Sequence, residues 1–261
     1  MHRTILERFR EQCGAYPIAS MPARFISTVL AKKRPYAAKN WLRAIRGLCQ
    51  YAIGQGWLKD DPTVGIKLKA PKSTGGHHTW TDEEIAQFEA SHHVGSKARL
   101  ALALLLYTVQ RRGDVIRMGR QHVRNGVLTI TQQKTGVTLS IPVRAELKAI
   151  LDATSGGHLT FLVTRTGRPY SGTDFSEQFR AWCQEAGLPK RCVVHGLRKA
   201  GCRRLAEAGC SANEIAAWSG HASLREVERY TKAADQQRLA RNALARTMNT
   251  AKTKVSNSGE V

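Results

Sequence analysis

One stretch of the sequence decides the fold of the larger part of the chain: Lys97 to Val109, KARLALALLLYTV. Leucine and alanine fill most of its positions, so a helix formed here is apolar on nearly every side instead of along one stripe. Such a helix is stable only where other elements cover it. The stretch therefore predicts the buried central helix of a domain.

The residues beyond this helix predict a mainly α fold with a small β element. Val127–Thr131 and Val137–Ile141 alternate apolar with polar residues, and Lys134-Thr-Gly136 between them is typical of a β-hairpin turn. A helix from Arg144 to Asp152 and a short strand near Leu159–Val163 are expected next. The pattern after residue 171 is helical, and capping boxes predict helix starts at Thr81, Ser211 and Ser223.

The first 66 residues are predicted to be mostly helical. Lys39 to Ile53 places its apolar residues on one face, and two arginines lie off that face. The next stretch, residues 67–79, reads KLKAPKSTGGHHT and has the composition of a linker. We therefore expect a helical domain over residues 1–70, a linker over 71–80, a mostly helical α+β domain over 81–249 and a disordered tail over 250–261.

The charge balance points to a polyanionic partner. Among 261 residues, 41 Lys and Arg stand against 20 Asp and Glu, which gives a net charge of +21 and a pI of about 10.3. The excess is +10 over residues 1–80, +3 over 81–188 and +8 over 189–261, so it lies at the two ends. Nucleic acid is the partner most often bound by so basic a protein. Solubility alone is the plainer alternative.

Several other classes of protein and site are disfavoured. No apolar run approaches the roughly 20 residues of a membrane span, and the first residues lack a signal-peptide core, so we expect no membrane contact and a cytoplasmic location at the nucleoid. The six cysteines form no C-x-x-C pair and are expected to be buried free thiols, with no metal site and no cofactor. The His77-His78 and His92-His93 pairs are expected to be solvated.

Five segments set isolated polar residues among apolar or glycine-rich neighbours. Arg111 follows the central helix, and Lys134 lies at the hairpin turn. His195-Gly-Leu-Arg198 puts an imidazole and a guanidinium three residues apart, on one side of a helix. Gly220-His221 precedes a capping box, and Tyr230 follows His221 by nine residues.

This ordered set resembles the tyrosine recombinase, or phage integrase, family. The family pattern is an Arg after a buried helix, a Lys in a β-turn, H-x-x-R, a G-[HW] pair and a Tyr about nine residues further on. Residues 81–240 supply all of these in order, and residues 1–80 resemble the family weakly. One position departs from the pattern, because the first motif usually begins Thr-Gly and here it begins Thr108-Val109.

The resemblance implies catalytic roles for six residues. Tyr230 would attack a backbone phosphodiester, form a 3′-phosphotyrosyl bond and release a 5′-hydroxyl, so that no ATP is required. Arg111 and Arg198 would bind the phosphoryl oxygens through paired N–H donors. Lys134 would protonate the leaving 5′-oxygen, and His195 would be the acid/base partner of the tyrosine. His221 would donate a hydrogen bond to a phosphoryl oxygen.

The resemblance also implies how DNA is held and what assembles on it. Residues 1–70 would be a shortened core-binding domain that clamps double-stranded DNA. The implied assembly is a monomer or dimer off DNA and a homotetramer in the synapse, with residues 236–249 docked in a neighbouring copy and an accessory DNA-bending protein as a further candidate partner. The expected phosphate contacts are Lys32, Lys33, Arg34, Lys39, Arg43, Arg46 and Arg112.

Alternatives from other classes remain open. A catalytically inactive relative would only bind DNA; the short first domain and Val109 leave room for it, whereas the complete set of six residues argues against it. A metal-dependent nuclease or transposase requires a carboxylate cluster, and Asp114, Asp152 and Asp174 share no motif. A type IB topoisomerase shares the tyrosine chemistry, and only a strand-exchange product separates it from a recombinase.

Overall fold

A computed structural model describes residues 2–69, 76–154 and 156–232, together with residues 235, 236, 240, 241 and 244. The chain divides into two compact units, Met1–Thr74 and Gly75–Val261. The predicted tail over 250–261 lies outside the described residues, as does most of the segment 236–249. No helix in the described ranges is both long enough and apolar enough to cross a membrane.

Among the residues described in the first unit, the α-helices are α1 (His2–Cys13), α2 (Ala23–Ala31) and α3 (Pro35–Gly54). Helix α3 begins four residues before the predicted Lys39, because Pro35 occupies its first turn, where a missing N–H costs little. It ends at Gly54, one residue after the predicted stretch. The core of the unit includes Phe9, Ile26, Trp41 and Ile45.

The second unit contains a small three-stranded antiparallel sheet and a larger set of helices. The strands are β1 (Val123–Arg124), β2 (Val127–Thr131) and β3 (Thr138–Pro142), in that order. The helices are α4 (Asp82–Ser91), α5 (Lys97–Thr108), α6 (Arg112–Val115), α7 (Ala145–Ala153), α8 (Gly172–Glu185), α9 (Val194–Glu207), α10 (Ala212–Ser219) and α11 (residues 224–232).

The prediction of a buried central helix is confirmed. Every residue from Leu100 to Leu106 of α5 is at most 2% exposed, and α5 packs against α7, α8 and α9. Full burial of each leucine contributes roughly 1.5–3 kcal/mol. This packing fixes the carboxyl end of α5 beside α9, so two of the sequence motifs begin close together.

The hairpin and two of the capping boxes are also confirmed. Strand β2 has the predicted bounds, and β3 begins and ends one residue later than predicted. The side chains of Thr81 and Ser211 each cap a helix, and each is reciprocated by a glutamate three residues on. The expected buried thiols are free cysteines, four of them buried and two, Cys13 and Cys210, half-buried.

The predicted strand near Leu159–Val163 is wrong. In the described chain, Val163 forms one isolated bridge to Pro169 instead of joining the sheet. The backbone N–H of Phe161 donates to the carbonyl oxygen of Met118 at 2.8 Å. The segment is therefore tied to the loop after α6, and a single bond does not make a ladder.

Candidate active site

The turn after α5 carries the first arginine. Helix α5 ends at Thr108, and Val109 takes the left-handed conformation with φ 57° and ψ 26°. This conformation is rare for a β-branched residue and costs about 1–2 kcal/mol. It is held by the packing of the Val109 side chain in a small apolar cluster with Cys202, Ile215 and others. The reversed chain then places Arg111 at the start of α6, half-buried.

Arg198 lies in the first turns of α9 and is 3% exposed. Its Nη1 donates to the carbonyl oxygen of Val109 at 2.8 Å, and its Nη2 donates to His221 Nε2 at 3.0 Å. Burial and the nearby Arg111 lower the pKa of Arg198 to about 10, so the group stays charged at neutral pH. Both of its bonds are to neutral acceptors.

The hydrogen bonds around His221 assign its neutral tautomer. The hydroxyl of Ser219 donates to the carbonyl oxygen of Ile215 at 2.6 Å, so at 2.5 Å it can only accept from His221 Nδ1. Nε2 is therefore the unprotonated nitrogen that accepts from Arg198. Burial and the charges of Arg198 and Arg111 lower the pKa of His221 to about 4, in agreement with a neutral ring.

His195 shares the first turn of α9 with Arg198 and has an unexpected neighbour, His77. The two rings lie 5.0 Å apart, centroid to centroid. His195 is partly exposed, yet partial desolvation, together with the charges of His77 and Arg198, lowers the pKa of His195 to about 4. At neutral pH the ring therefore has a free lone pair that can accept a proton.

The segment of residues 76–80 packs closely against the first turn of α9. A Cβ at Gly196 would lie 2.3 Å from the carbonyl oxygen of His78, so only glycine allows this approach. Lys199 Nζ donates to the carbonyl oxygen of His77 at 2.6 Å, and Trp80 is fully buried. Glycine between the histidine and the arginine of the H-x-x-R motif thus has a structural reason.

The histidine pairs are not simply solvated, as the sequence had suggested. His78 is half-buried and lies 2.7 Å from a carboxylate oxygen of Glu84, and His77 is exposed but lines a cavity beside His195. His92 is buried, with Nε2 3.0 Å from the carbonyl oxygen of Trp182. Sequence spacing gave no signal for the contacts of His77 and His92, because their partners His195 and Trp182 are far away along the chain.

A cavity of about 390 Å³ is lined by several of the basic residues described above. The cationic and imidazole groups around it include His77, which was expected to be solvated, and Arg180, which belongs to none of the sequence motifs. The charged and imidazole residues that line it are His77, Arg111, Arg112, Arg180, His195 and Arg198. Such a concentration of donors and positive charge fits an anion of phosphate type.

Two buried glutamines, which the sequence analysis also did not single out, connect these parts. Gln132 Oε1 accepts from Arg111 Nη1 at 2.8 Å, and Gln132 Nε2 donates to Gln110 Oε1 at 2.6 Å. A signal existed for Gln132, because the alternation of β2 puts Leu128, Ile130 and then residue 132 on the buried face. A polar residue at a buried position of that pattern requires partners.

Of the six predicted catalytic residues, the structure brings four together: Arg111, Arg198, His195 and His221. Lys134 is exposed in the turn between β2 and β3 and does not line the cavity. Tyr230 is half-buried on α11, against the cluster that contains Val109, Cys202 and Val227.

Burial of the Tyr230 phenol raises its pKa to about 12. The hydroxyl is therefore protonated at neutral pH, so deprotonation has to accompany any attack that it makes.

The predicted phosphate contacts differ in their surroundings. Lys32, Arg34, Lys39 and Arg43 are exposed on the first unit. Lys33 Nζ lies 4.1 Å from the centroid of the Trp41 ring, and Arg46 Nε donates to Thr63 Oγ1 at 3.1 Å. In the second unit, Arg112 is exposed and contacts Ser176 Oγ.

Within the ranges that the structure describes, one group of side chains has the spacing of metal ligands: His78, Glu84 and Cys192. Its single carboxylate is already occupied, by the backbone N–H of Thr81 at 2.9 Å and by the Arg191 guanidinium at 3.0 Å. Burial opposes ionisation of Glu84, but the bonds from Thr81, His78 and Arg191 prevail and lower its pKa to about 2. An Arg on the same carboxylate repels a metal ion.

Comparisons with known proteins identify the family to which the second unit is similar. The family model described as "Phage integrase family" matches residues 81–237. The integrases of Escherichia phage HK022 and Enterobacteria phage 434 are each 27% identical over 128 residues, which is 49% of this chain and 36% of each integrase. The match thus spans little more than a third of these relatives.

Solved structures share the fold. A lambda integrase dimer bound to a COC′ core site superposes with a TM-score of 0.76 at 22% identity, covering 88% of this chain and 86% of that one. The Tn1549 transposon integrase in complex with a circular intermediate DNA gives a TM-score of 0.71 at 18% identity, covering 91% and 94% of the two chains. A lambda integrase tetramer bound to a Holliday junction gives 0.73 at 22% identity, covering 85% and 70%.

Proposed function

Since this chain belongs to the phage integrase family, we propose that it breaks and rejoins duplex DNA at a specific site through a 3′-phosphotyrosyl intermediate, for integration or excision of a mobile element. One observation carries the proposal: Arg111 and Arg198 line one cavity, and among the described residues no carboxylate forms an ion pair with either. A buried positive charge held only by neutral acceptors is costly. A bound phosphodiester would supply the missing negative charge.

The proposed reaction exchanges one phosphodiester for another. The Tyr230 oxygen attacks the scissile phosphorus and gives up its proton to neutral His195, while the P–O5′ bond breaks. Lys134 protonates the departing 5′-oxygen. The arginines bind the non-bridging oxygens, where negative charge grows in the transition state. A second 5′-hydroxyl then attacks the phosphotyrosine and reverses these proton transfers.

His221 has a defined part in this scheme. In the DNA-free site its Nε2 is an acceptor for Arg198. To donate to a phosphoryl oxygen, Nε2 must carry a proton, and the negative phosphate raises the pKa of a neighbouring imidazole. We therefore assign His221 the role of a donor that becomes protonated when DNA is bound.

The first unit would clamp the duplex through its exposed cations. Lys32, Arg34, Lys39 and Arg43 present charge to solvent without a buried role, as phosphate contacts do. Lys33 and Arg46 combine such a contact with the packing described above. A protein with this task works where chromosomal DNA is, in the cytoplasm at the nucleoid.

We further propose a tetramer at the synapse and a monomer or dimer off DNA, with residues 236–249 docked in a neighbour. The lambda integrase tetramer bound to a Holliday junction, which has a similar fold, supports the tetramer at the synapse. Native mass measurement of the free protein, and of the protein with its site, tests both states. Comparing purified protein with host extract tests the need for an accessory DNA-bending protein.

Covalent trapping tests the proposal directly. The protein is incubated with fragmented host DNA in EDTA, quenched with detergent, and the attached DNA is sequenced beside Tyr230→Phe. We expect adducts at one site in the wild type and none in the variant. Salt-sensitive binding without adducts would favour the inactive alternative, and cleavage that EDTA abolishes would favour a metal-dependent nuclease. Strand exchange between two such sites separates a recombinase from a type IB topoisomerase.

The role of Lys134 has its own test. A general acid is needed only if the leaving oxygen is a poor leaving group, and a 5′-thiolate leaves without protonation. Lys134→Ala should lose adduct formation on ordinary DNA and regain it on DNA with sulfur at the scissile 5′ position. Equal losses on both substrates would remove the general-acid role.

A further inference from the structure

The side-chain amide of Gln132 uses its full hydrogen-bonding capacity at the candidate site. Its Nε2 donates to Gln110 Oε1 at 2.6 Å and to the carbonyl oxygen of Ser219 at 2.8 Å. Its Oε1 accepts from Arg111 Nη1 and from Thr135 Oγ1, both at 2.8 Å. The residue is 1% exposed. Four satisfied bonds on a fully buried amide define its orientation.

Gln110 extends this network to two more helix ends. It is fully buried, and its Nε2 donates to the carbonyl oxygens of Thr108 and Trp218, both at 3.0 Å. The pair of glutamines therefore joins the end of α5, the end of α10 and the turn between β2 and β3. Arg111 follows the end of α5, His221 follows the end of α10, and Lys134 lies in the turn between β2 and β3.

The glycine of the Gly220-His221 pair fits against this network. Gly220 ends α10 with φ +68°, a conformation that favours glycine. A Cβ there would lie 2.4 Å from Gln132 Nε2. The close approach keeps the Ser219 carbonyl in reach of the amide, and His221 follows directly.

We infer that Gln132 is a positioning residue of the strand-breaking reaction, which aims Arg111 at the phosphate and fixes the Lys134 turn to the His221 segment through neutral contacts. The inference rests on the proposed function and deepens it. Gln132 acts through Arg111 and does not itself take part in the covalent steps of the reaction.

The neutrality of the amide is the essential property. A carboxylate at position 132 would also accept from Arg111, but it would cancel the charge that the phosphate needs. It would also present an acceptor, with no hydrogen to donate, to Gln110 Oε1 and to the Ser219 carbonyl oxygen. Glu is the same size as Gln, so this change separates charge and donor pattern from shape.

The experiment compares Gln132→Glu with Gln133→Glu. Gln133 is the exposed neighbour, so it adds the same charge without entering the network. The readouts are the melting transition, the affinity for the trapped DNA site and the rate of adduct formation at saturating DNA. We expect Gln132→Glu to unfold cooperatively, to bind DNA within about threefold of the wild type because many phosphate contacts share the affinity, and to react about 100-fold more slowly. Gln133→Glu should react at nearly the wild-type rate.

Three results would overturn the inference: an unchanged rate in Gln132→Glu, an equal loss in Gln133→Glu, or a loss explained entirely by weaker binding. A second measurement does not depend on activity. In the DNA-free protein, NMR resolves the Nη groups of an arginine whose guanidinium rotates slowly. We expect slow rotation of Arg111 in the wild type and averaging in Gln132→Met, with signals assigned from Arg111→Lys.

Adduct formation and the Arg111 NMR signals distinguish a failure of the proposed function from a failure of the positioning role of Gln132. If the wild type forms no adducts, the proposed function fails, whereas the Arg111 signals still show whether Gln132 holds that side chain. Unchanged Arg111 rotation in a folded Gln132→Met protein would refute the positioning role, whatever the activity.

Discussion

Two arginines on α9, five residues apart, show how differently one helix can hold a positive charge. Arg203 forms ion pairs with Asp82 at 2.9 Å and with Glu207 at 3.0 Å. Arg198 is more deeply buried, yet its bonds go to the Val109 carbonyl oxygen and to the neutral ring of His221. The charge of Arg203 is compensated within the protein, whereas that of Arg198 remains available to an external anion.

The difference indicates which positive charges stabilise the fold and which are available to bind an anionic ligand. Compensated charges stabilise the fold locally, and exposed pairs contribute about 1 kcal/mol or less. A buried charge without an ion-pair partner lowers the free energy of unfolding. The same charge is already oriented to bind a ligand of opposite charge. The exposed cations of the first unit form a third group, because they are neither buried nor held in a fixed orientation by the contacts described above.

The largest effect is expected from Arg198→Lys. Lysine keeps the charge but cannot reach both Val109 and His221 in one geometry. Adduct formation at saturating DNA should fall by about 10²–10³-fold. The matched variant Arg203→Lys should leave the rate nearly unchanged. Similar rates in the two variants would show that the two arginines do not differ in kind.

The exposed cations should affect binding and not chemistry. Replacing Lys32, Lys39 and Arg43 by Gln should lower the slope of log affinity against log salt by about 0.9 for each lost contact. The rate at saturating DNA should stay close to that of the wild type. Losing the same number of ion-paired cations, by Arg10→Gln, Arg144→Gln and Lys148→Gln, should change the slope much less. Equal slopes in the two sets would argue against a clamp in the first unit.

Acid should weaken the fold through the ring that holds Arg198. The pKa of His221 is about 4 in the folded protein and about 6.5 in an unfolded chain. Between these values the unfolded state binds more protons, so the free energy of unfolding decreases as the pH falls from about 6.5 towards 4. The melting temperature of the wild type should therefore drop between pH 7 and pH 5, and less so in His221→Gln. The same drop in both proteins would show that His221 is not the group responsible.

The smallest effect concerns the turn that positions Arg111. At φ 57°, Val109→Ala loses apolar contacts and keeps the backbone strain, whereas Val109→Gly loses the contacts and relieves the strain. The glycine variant should be more stable than the alanine variant by about 1 kcal/mol, the reverse of the order in a helix. Thermal unfolding of the two variants measures this. A more stable alanine variant would mean that the left-handed conformation relaxes.

Much of the fold was predictable because its signals are local. The apolar stretch that became α5, the alternation of β2 and the capping boxes at Thr81 and Ser211 each depend on residues within a few positions of one another. The strand near Leu159–Val163 failed for the opposite reason. Its link to the rest of the chain is the backbone bond from the Phe161 N–H to the Met118 carbonyl oxygen, which no local pattern reveals.

The candidate site divides in the same way. The identity and order of Arg111, Lys134, His195-Gly-Leu-Arg198, Gly220-His221 and Tyr230 stand in the sequence, and so does the net charge of +21. Only the tertiary structure decides what surrounds those groups: two buried glutamines, a left-handed Val109 and a His77 ring 5.0 Å from His195. Chemical type is a property of single residues, whereas burial, hydrogen-bond partners and pKa arise from contacts between residues that can be more than a hundred positions apart. These contacts exist only once the chain is folded.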